Sequence, residues 1–190
     1  LSPYYLKPGF AFGGSCLPKE VRAVAHIADN LGVDLPLISS LGTSNSAHIE
    51  AATQMVKDTG ARTVAVLGLA FKPGTDDLRE SPILEVIADL MDQGITVLAH
   101  DMAITRDTNI EGQLSYVAHA APGLTKVAKH LGGMLTDTAD QAVNAADAII
   151  VTHANDTYRA AVKNSFKPTI DVVRLFKDDP NQALVAGIGW

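Results

Sequence analysis

The sequence predicts an α/β fold in which a short helical segment precedes a doubly wound parallel sheet, and three observations carry that prediction. Short apolar runs recur after residue 63: VAVLGL over 64–69, ITVLAHD over 95–101, AIIVTH over 148–153 and TIDVV over 169–173. Helical periodicity separates these runs, so a crossover helix links one strand to the next. Before residue 60 no such run occurs, only two helical patterns in succession. Strands that are continuously apolar, rather than alternating, are covered on both faces, which is the habit of parallel sheets.

Taken in order, the first helix begins after a Gly-Gly turn with Pro18 at its first position. It is spaced by Val21, Val24, Ala25, Ala28 and Leu31 and stopped by Gly32. A second helix is expected over 36–57, rich in Ala and Ser, with Gly60 as its end. Together, residues 1–60 form a helical unit too small to bury its own apolar face, so it needs a partner surface. Residues 61–190 form the sheet domain, Rossmann-like in its alternation, with helices over 82–93, 137–146 and 156–163. Between 102 and 135 the pattern weakens. A Gly-Gln-Leu-Ser-Tyr loop, an amphipathic helix to about residue 130 and a break at Gly132-Gly133 are expected there, as an insertion before the next strand.

Composition narrows the function. A net charge of −6, with a pI near 5.4, excludes a nucleic-acid surface. No apolar run approaches the ~18 residues of a membrane span. One cysteine cannot form an internal disulfide and no signal peptide is recognisable, so a reducing cytoplasm is expected. Six histidines lack metal-binding spacing, and no metal is expected. The chain starts without methionine and reads as a piece of a longer protein.

Two stretches carry chemistry. The first is PGFAFGGSCLPKE, residues 8–20. A lone cysteine is usually a small buried hydrophobe. Here Gly13 and Gly14 allow close backbone approach to a ligand, a helix starts just after Cys16, and Lys19 adds a cation; all favour thiolate over a thiol of ordinary pKa near ~8.5. Glu20 opposes this unless it handles water, in which role it would serve a thioester route. The second stretch, AFKPGTDDLRESP, follows the first strand, where open parallel sheets bind ligands. Lys72, Arg79 and a Ser81-Pro82 helix start suit phosphate oxygens; equally, Asp76, Asp77 and Glu80 can pair with Lys72 and Arg79 in a solvated loop. No GxGxxG fingerprint is present. Tyr4 and Tyr5, beside Lys7, are packing aromatics or face a sugar or phosphate.

YYLKPGFAFGGSCLPKEVRA, then VLGLAFKPGTDDLRESP, then a terminal GIGW together resemble the carboxyl-terminal half of the UDP-glucose/GDP-mannose 6-dehydrogenases, most closely the GDP-mannose branch. The resemblance implies that an NAD-binding domain precedes this portion in a full family member and that this chain alone does not turn over. It implies oxidation of the C6 alcohol of a nucleotide sugar to a carboxylate with two NAD⁺, feeding acidic polysaccharides such as alginate. Cys16 would attack the C6 aldehyde, and Glu20 stands where the family usually has Asp. Lys19 and Arg79 are similar to the residues that meet NAD. Lys72, Tyr4, Tyr5, Lys7, Phe10 and Gly13 match substrate-lining positions, some reaching the site from a neighbouring subunit of a homodimer or larger homo-oligomer. Lys7 replaces the usual Arg. UDP-glucose or a UDP-N-acetylhexosamine is the alternative substrate. A non-catalytic nucleotide-sugar-binding or dimerisation module is the alternative of another class.

Overall fold

A computed structural model describes residues 9–115, 123–177 and 184–188. Tyr4, Tyr5, Lys7 and the terminal Trp190 lie outside them.

The chain opens with α1 (Leu17–Leu31) and α2 (Pro36–Asp58), each with proline in its first turn, where the missing N–H costs nothing. Gly32 ends α1 at φ 65°, a left-handed value that a side chain resists, and its amide and that of Val33 cap the last carbonyls. The chain then alternates: β1 (Thr63–Leu67), α3 (Pro82–Asp92), β2 (Thr96–His100), α4 (Ile110–Ser115), α5 (Gly123–Met134), α6 (Ala139–Ala145), β3 (Ala148–Val151), α7 (Asp156–Lys163), β4 (Thr169–Asp171) and β5 (Val185–Gly187).

All five strands are parallel, in the order β2-β1-β3-β4-β5. The period of two in a strand divides their side chains between two cores. Val64, Val66, Ile150 and Ile170 meet α3, α5 and the end of α2; Ala65, Leu67, Ile149 and Val151 meet α6 and α7. With Val64 to Leu67 fully buried, β1 is covered on both faces, as its unbroken apolar sequence requires. Three layers result. Ile49, Ala52 and Val56 bring the second half of α2 into the same core as the sheet. Burial of each larger side chain contributes about 1.5–3 kcal/mol, which anchors the helical segment to the sheet. The first half of α2 and nearly all of α1 have no such cover. Among the described residues, no helix is long and apolar enough to cross a membrane.

Two expectations between strands give way, and one strand went unrecognised. The Gly-Gln-Leu-Ser stretch is not a loop but lies in α4, because Ile110 and Leu114, four apart, are both buried. Gly132-Gly133 does not break α5. Leu131 is buried just before the pair, and packing outweighs a propensity cost of about 1 kcal/mol per glycine. Strand β5, three residues long, had no recognisable pattern.

On α3, burial and then the carboxylates of Asp89 and Glu80 push the Glu85 carboxyl up. A carboxyl raised in the folded state binds its proton more tightly there than when unfolded, so its contribution to stability falls as pH rises past the ordinary Glu range. Glu85→Gln is therefore expected to raise the melting temperature at pH 7. At pH below about 4, where both states hold the proton, the gain should vanish; a pH series of thermal melts reads both.

Candidate active site

The carboxyl ends of the strands are organised by Asp101, buried at the end of β2. Its Oδ2 accepts the backbone N–H groups of Leu69 at 2.6 Å and Ala70 at 3.1 Å, and its Oδ1 accepts that of Ala103 at 2.8 Å. From β3's end, His153 Nε2 donates to the carbonyl of Ala70 at 2.8 Å, and its Nδ1 lies 3.5 Å from Asp101. Both polar groups of the Ala70 backbone are thus held. Gly68, at φ 104°, sits against Thr152 and His153 so closely that a Cβ there would lie 2.4 Å from Thr152 Oγ1. Ser81 takes the N-cap position of α3, yet its hydroxyl does not cap; it donates to the carbonyl of Leu69 at 2.7 Å. Strand end and helix start are bound together.

Above these ends lies a cleft of about 650 Å³ whose walls include Phe10, Phe71, Thr152, His153, Arg174 and Lys177. Phe10 and Phe71 give the cleft apolar surface, and Arg174 and Lys177 give it positive charge. Asp171, buried at the end of β4, accepts the N–H groups of Val173 at 3.1 Å and Phe176 at 2.9 Å. That grip holds the turn in which Arg174 adopts φ 57°, a strained value for a side-chain-bearing residue. The sequence reading missed Arg174 and Lys177. Their signal was an Asp at a strand's carboxyl end followed closely by two basic residues, in the region where such sheets bind ligands.

The Cys16 loop packs on one wall of this cleft. Asn45 of α2 clasps the backbone of Phe12, accepting its N–H at 2.8 Å and donating to its carbonyl at 2.9 Å. A Cβ on Gly13 would lie 2.2 Å from the carbonyl oxygen of Glu80, and one on Gly14, at φ 86°, would meet the ring of Phe71 at 2.8 Å. The pair of glycines thus permits close approach between two chain segments, where the sequence suggested approach to a ligand. Cys16 is exposed at the N-cap of α1, with Ser15 Oγ 3.8 Å from its sulfur. Lys19 pairs with Glu20 at 3.1 Å just beyond. The thiol therefore stands at the positive end of a helix with a cation and a carboxylate in the next turn.

The remaining candidates are divided. Lys72 is exposed between Phe71 and Pro73, two walls of the cleft. Arg79 lies elsewhere, in an open groove of about 530 Å³ with Asp76, Asp77, Asn109 and Gln113. Its guanidinium forks onto Asp77 at 2.9 and 2.7 Å, and those hydrogen bonds hold the Asp77 carboxyl below the usual range. Glu80 pairs with Arg22 of α1 rather than with Lys72 or Arg79. No group of three potential metal ligands occurs among the described residues.

The sequence matches two models of the UDP-glucose/GDP-mannose dehydrogenase family: its UDP binding domain over residues 65–178 and its central domain over residues 1–47. Two GDP-mannose 6-dehydrogenases match the whole chain: that of Pseudomonas syringae pv. tomato at 41% identity over 193 residues, and that of Pseudomonas aeruginosa at 34% over 192. A UDP-glucose 6-dehydrogenase of Pseudomonas aeruginosa is 38% identical over 106 residues, 53% of this chain. The chain spans 42% of the length of the GDP-mannose 6-dehydrogenases. Among solved structures, the ternary complex of GDP-mannose dehydrogenase from Pseudomonas aeruginosa superposes with a TM-score of 0.81 at 34% identity, covering 100% of this chain and 42% of that one. A UDP-glucose dehydrogenase from Pyrobaculum islandicum gives 0.65 at 26%, covering 89% and 36%.

Gly13→Ala forces a methyl against the Glu80 carbonyl and is expected to cost about 1–3 kcal/mol in urea denaturation. Gly42, within α2 with open space around its Cβ position, supplies the control: Gly42→Ala should be neutral or stabilising.

Proposed function

Because this chain belongs to the UDP-glucose/GDP-mannose dehydrogenase family, we propose that it is the carboxyl-terminal portion of an NAD-dependent enzyme oxidising GDP-mannose to GDP-mannuronate. The observation that carries this reading is the cleft at the strands' carboxyl ends, cationic through Arg174 and Lys177, with the Cys16 loop packed on its wall. A lining that combines apolar and cationic side chains suits a nucleoside diphosphate joined to a sugar. Identity over the whole chain with GDP-mannose enzymes, against about half of it with a UDP-glucose enzyme, supports the mannose branch.

In this reading Phe10 and Lys72 contact the nucleotide sugar, together with Arg174 and Lys177. Tyr4, Tyr5 and Lys7 complete the sugar end. Gly13 acts at one remove, by letting the loop seat against Glu80. Cys16 is the nucleophile: its sulfur bonds to C6 of the aldehyde, whose oxygen takes a proton to form a thiohemiacetal. Loss of hydride from C6 and of the proton from its hydroxyl leaves a thioester, and water positioned by Glu20 adds to it. The carbon–sulfur bond then breaks, releasing uronate and the thiol. Two NAD⁺, bound in succession, would each take up one of the two hydrides removed from C6. The residues present fit only part of that cofactor. The turn after β1 does not accept a pyrophosphate, because Asp101 occupies its N–H groups and Thr152 and His153 fill the space over Gly68. Lys19, exposed, and Arg79, partly buried and paired with Asp77, are the cations proposed for its edge.

The enzyme works in the cytoplasm as a homodimer or larger assembly. The apolar stripe of the helical segment supports this: Ile27 is 56% exposed, Leu31 72% and Leu37 74%.

Calorimetric titration of the chain with GDP-mannose, UDP-glucose and NAD⁺ in parallel tests the reading. GDP-mannose is expected to bind in preference to UDP-glucose. Arg174→Ala and Lys72→Ala should each weaken it at least about tenfold, roughly 1.4 kcal/mol. Tighter binding of UDP-glucose would overturn the branch, and unchanged affinity in both variants would overturn the cleft.

A further inference from the structure

We propose that Glu80 is a positioning residue for Cys16, tying the nucleophile's loop to the wall of the nucleotide cleft; this rests on the reading of Cys16 and the cleft given above. Glu80 reaches the loop in three ways. Its backbone carbonyl accepts the N–H of Gly14 at 3.3 Å, and the same oxygen lies where a Cβ of Gly13 would fall. Its carboxylate receives both guanidinium nitrogens of Arg22 at 2.8 Å each, a planar fork that fixes orientation as well as distance. Gly14 and Arg22 bracket Cys16 in sequence, one in the loop before it and one in the second turn of α1 after it. A single residue therefore holds the nucleophile's segment from both sides.

The backbone of Glu80 supports a dedicated role. Its φ of 47° lies in the left-handed region, which costs a side-chain-bearing residue energy and persists only where surrounding contacts hold it. Ser81 and Pro82, the next two residues, are walls of the cleft, and Ser81 is bonded to the carbonyl of Leu69 at the end of β1. The ring of Phe71, also a cleft wall, lies under Gly14. A ligand pressing on Phe71 or Pro82 thus bears on the same support that carries Cys16. The Arg22 side chain is 53% exposed and that of Glu80 15%. Arg22 can therefore be changed without opening the core.

Hydrogen exchange of the Gly14 amide, with the β1 amides of residues 64–67 as internal reference, tests this on the chain itself. Arg22→Ala and Glu80→Gln are expected to speed Gly14 exchange at least about tenfold while β1 stays protected, since the loop opens locally. The charge-reversed pair Arg22→Glu/Glu80→Arg should restore slow exchange, which a merely structural effect of either residue would not. Saturating GDP-mannose should slow Gly14 exchange in the parent chain and fail to do so in Arg22→Ala. Gly14 exchange at the parent rate in both single variants would overturn the proposal, as would a reversed pair no better than Arg22→Ala. Failure of the substrate reading would appear separately, as no GDP-mannose binding by the parent chain.

Discussion

A single buried carboxylate sets the geometry of the carboxyl edge of the sheet. Asp101 takes three backbone N–H groups, two of them from the turn that leaves β1. Hydrogen bonds to a charged group contribute about 1.5–3 kcal/mol each, and a buried carboxylate left without them is strongly disfavoured. The turn has little freedom as a result. Ser81 is bonded to Leu69, so the start of α3 follows, and with it Glu80, Gly14 and the loop that presents Cys16. A second buried carboxylate, Asp171, repeats the device at the end of β4 in the same sheet and presents Arg174. The cleft lies between the two.

Asp101 also decides what the domain cannot bind. The end of β2 and the turn after β1 are the places where a dinucleotide fold spends an acidic residue on ribose and backbone N–H groups on pyrophosphate. Here the acid has turned inward and consumed the N–H groups itself. In the proposed reading, anion binding is displaced along the edge, to the β4 turn with Arg174 and Lys177. In a chain of net charge −6, these two cations on the cleft wall suit an anionic ligand.

The sequence revealed the sheet because its signal is local: β1, β3 and β4 are apolar runs buried on both faces, and the edge strand β2 buries alternate residues, Val97 and Ala99. Helix α7 was legible to the residue, because a capping Asn155, accepting from the amide of Tyr158, precedes a sharp amphipathic pattern. What escaped depends on contacts between distant residues. Gly13 and Gly14 were visible as glycines, but the Glu80 carbonyl that requires them lies more than 60 residues on. Ser81 carried the composition of a cap, and its hydroxyl instead donates to the carbonyl of Leu69, twelve residues back in the turn after β1. Arg174 drew no notice in the sequence, because its place on the cleft depends on the turn that Asp171 holds through the amides of Val173 and Phe176.

The most direct measurement is a crystal structure of the chain with GDP-mannose. The diphosphate is expected beside Arg174 and Lys177, with the hexose directed toward the Cys16 loop. A nucleotide sugar seated instead in the groove of Asp77, Arg79 and Gln113, or one whose hexose points away from Cys16, would contradict both the assignment of the cleft and the role of the thiol.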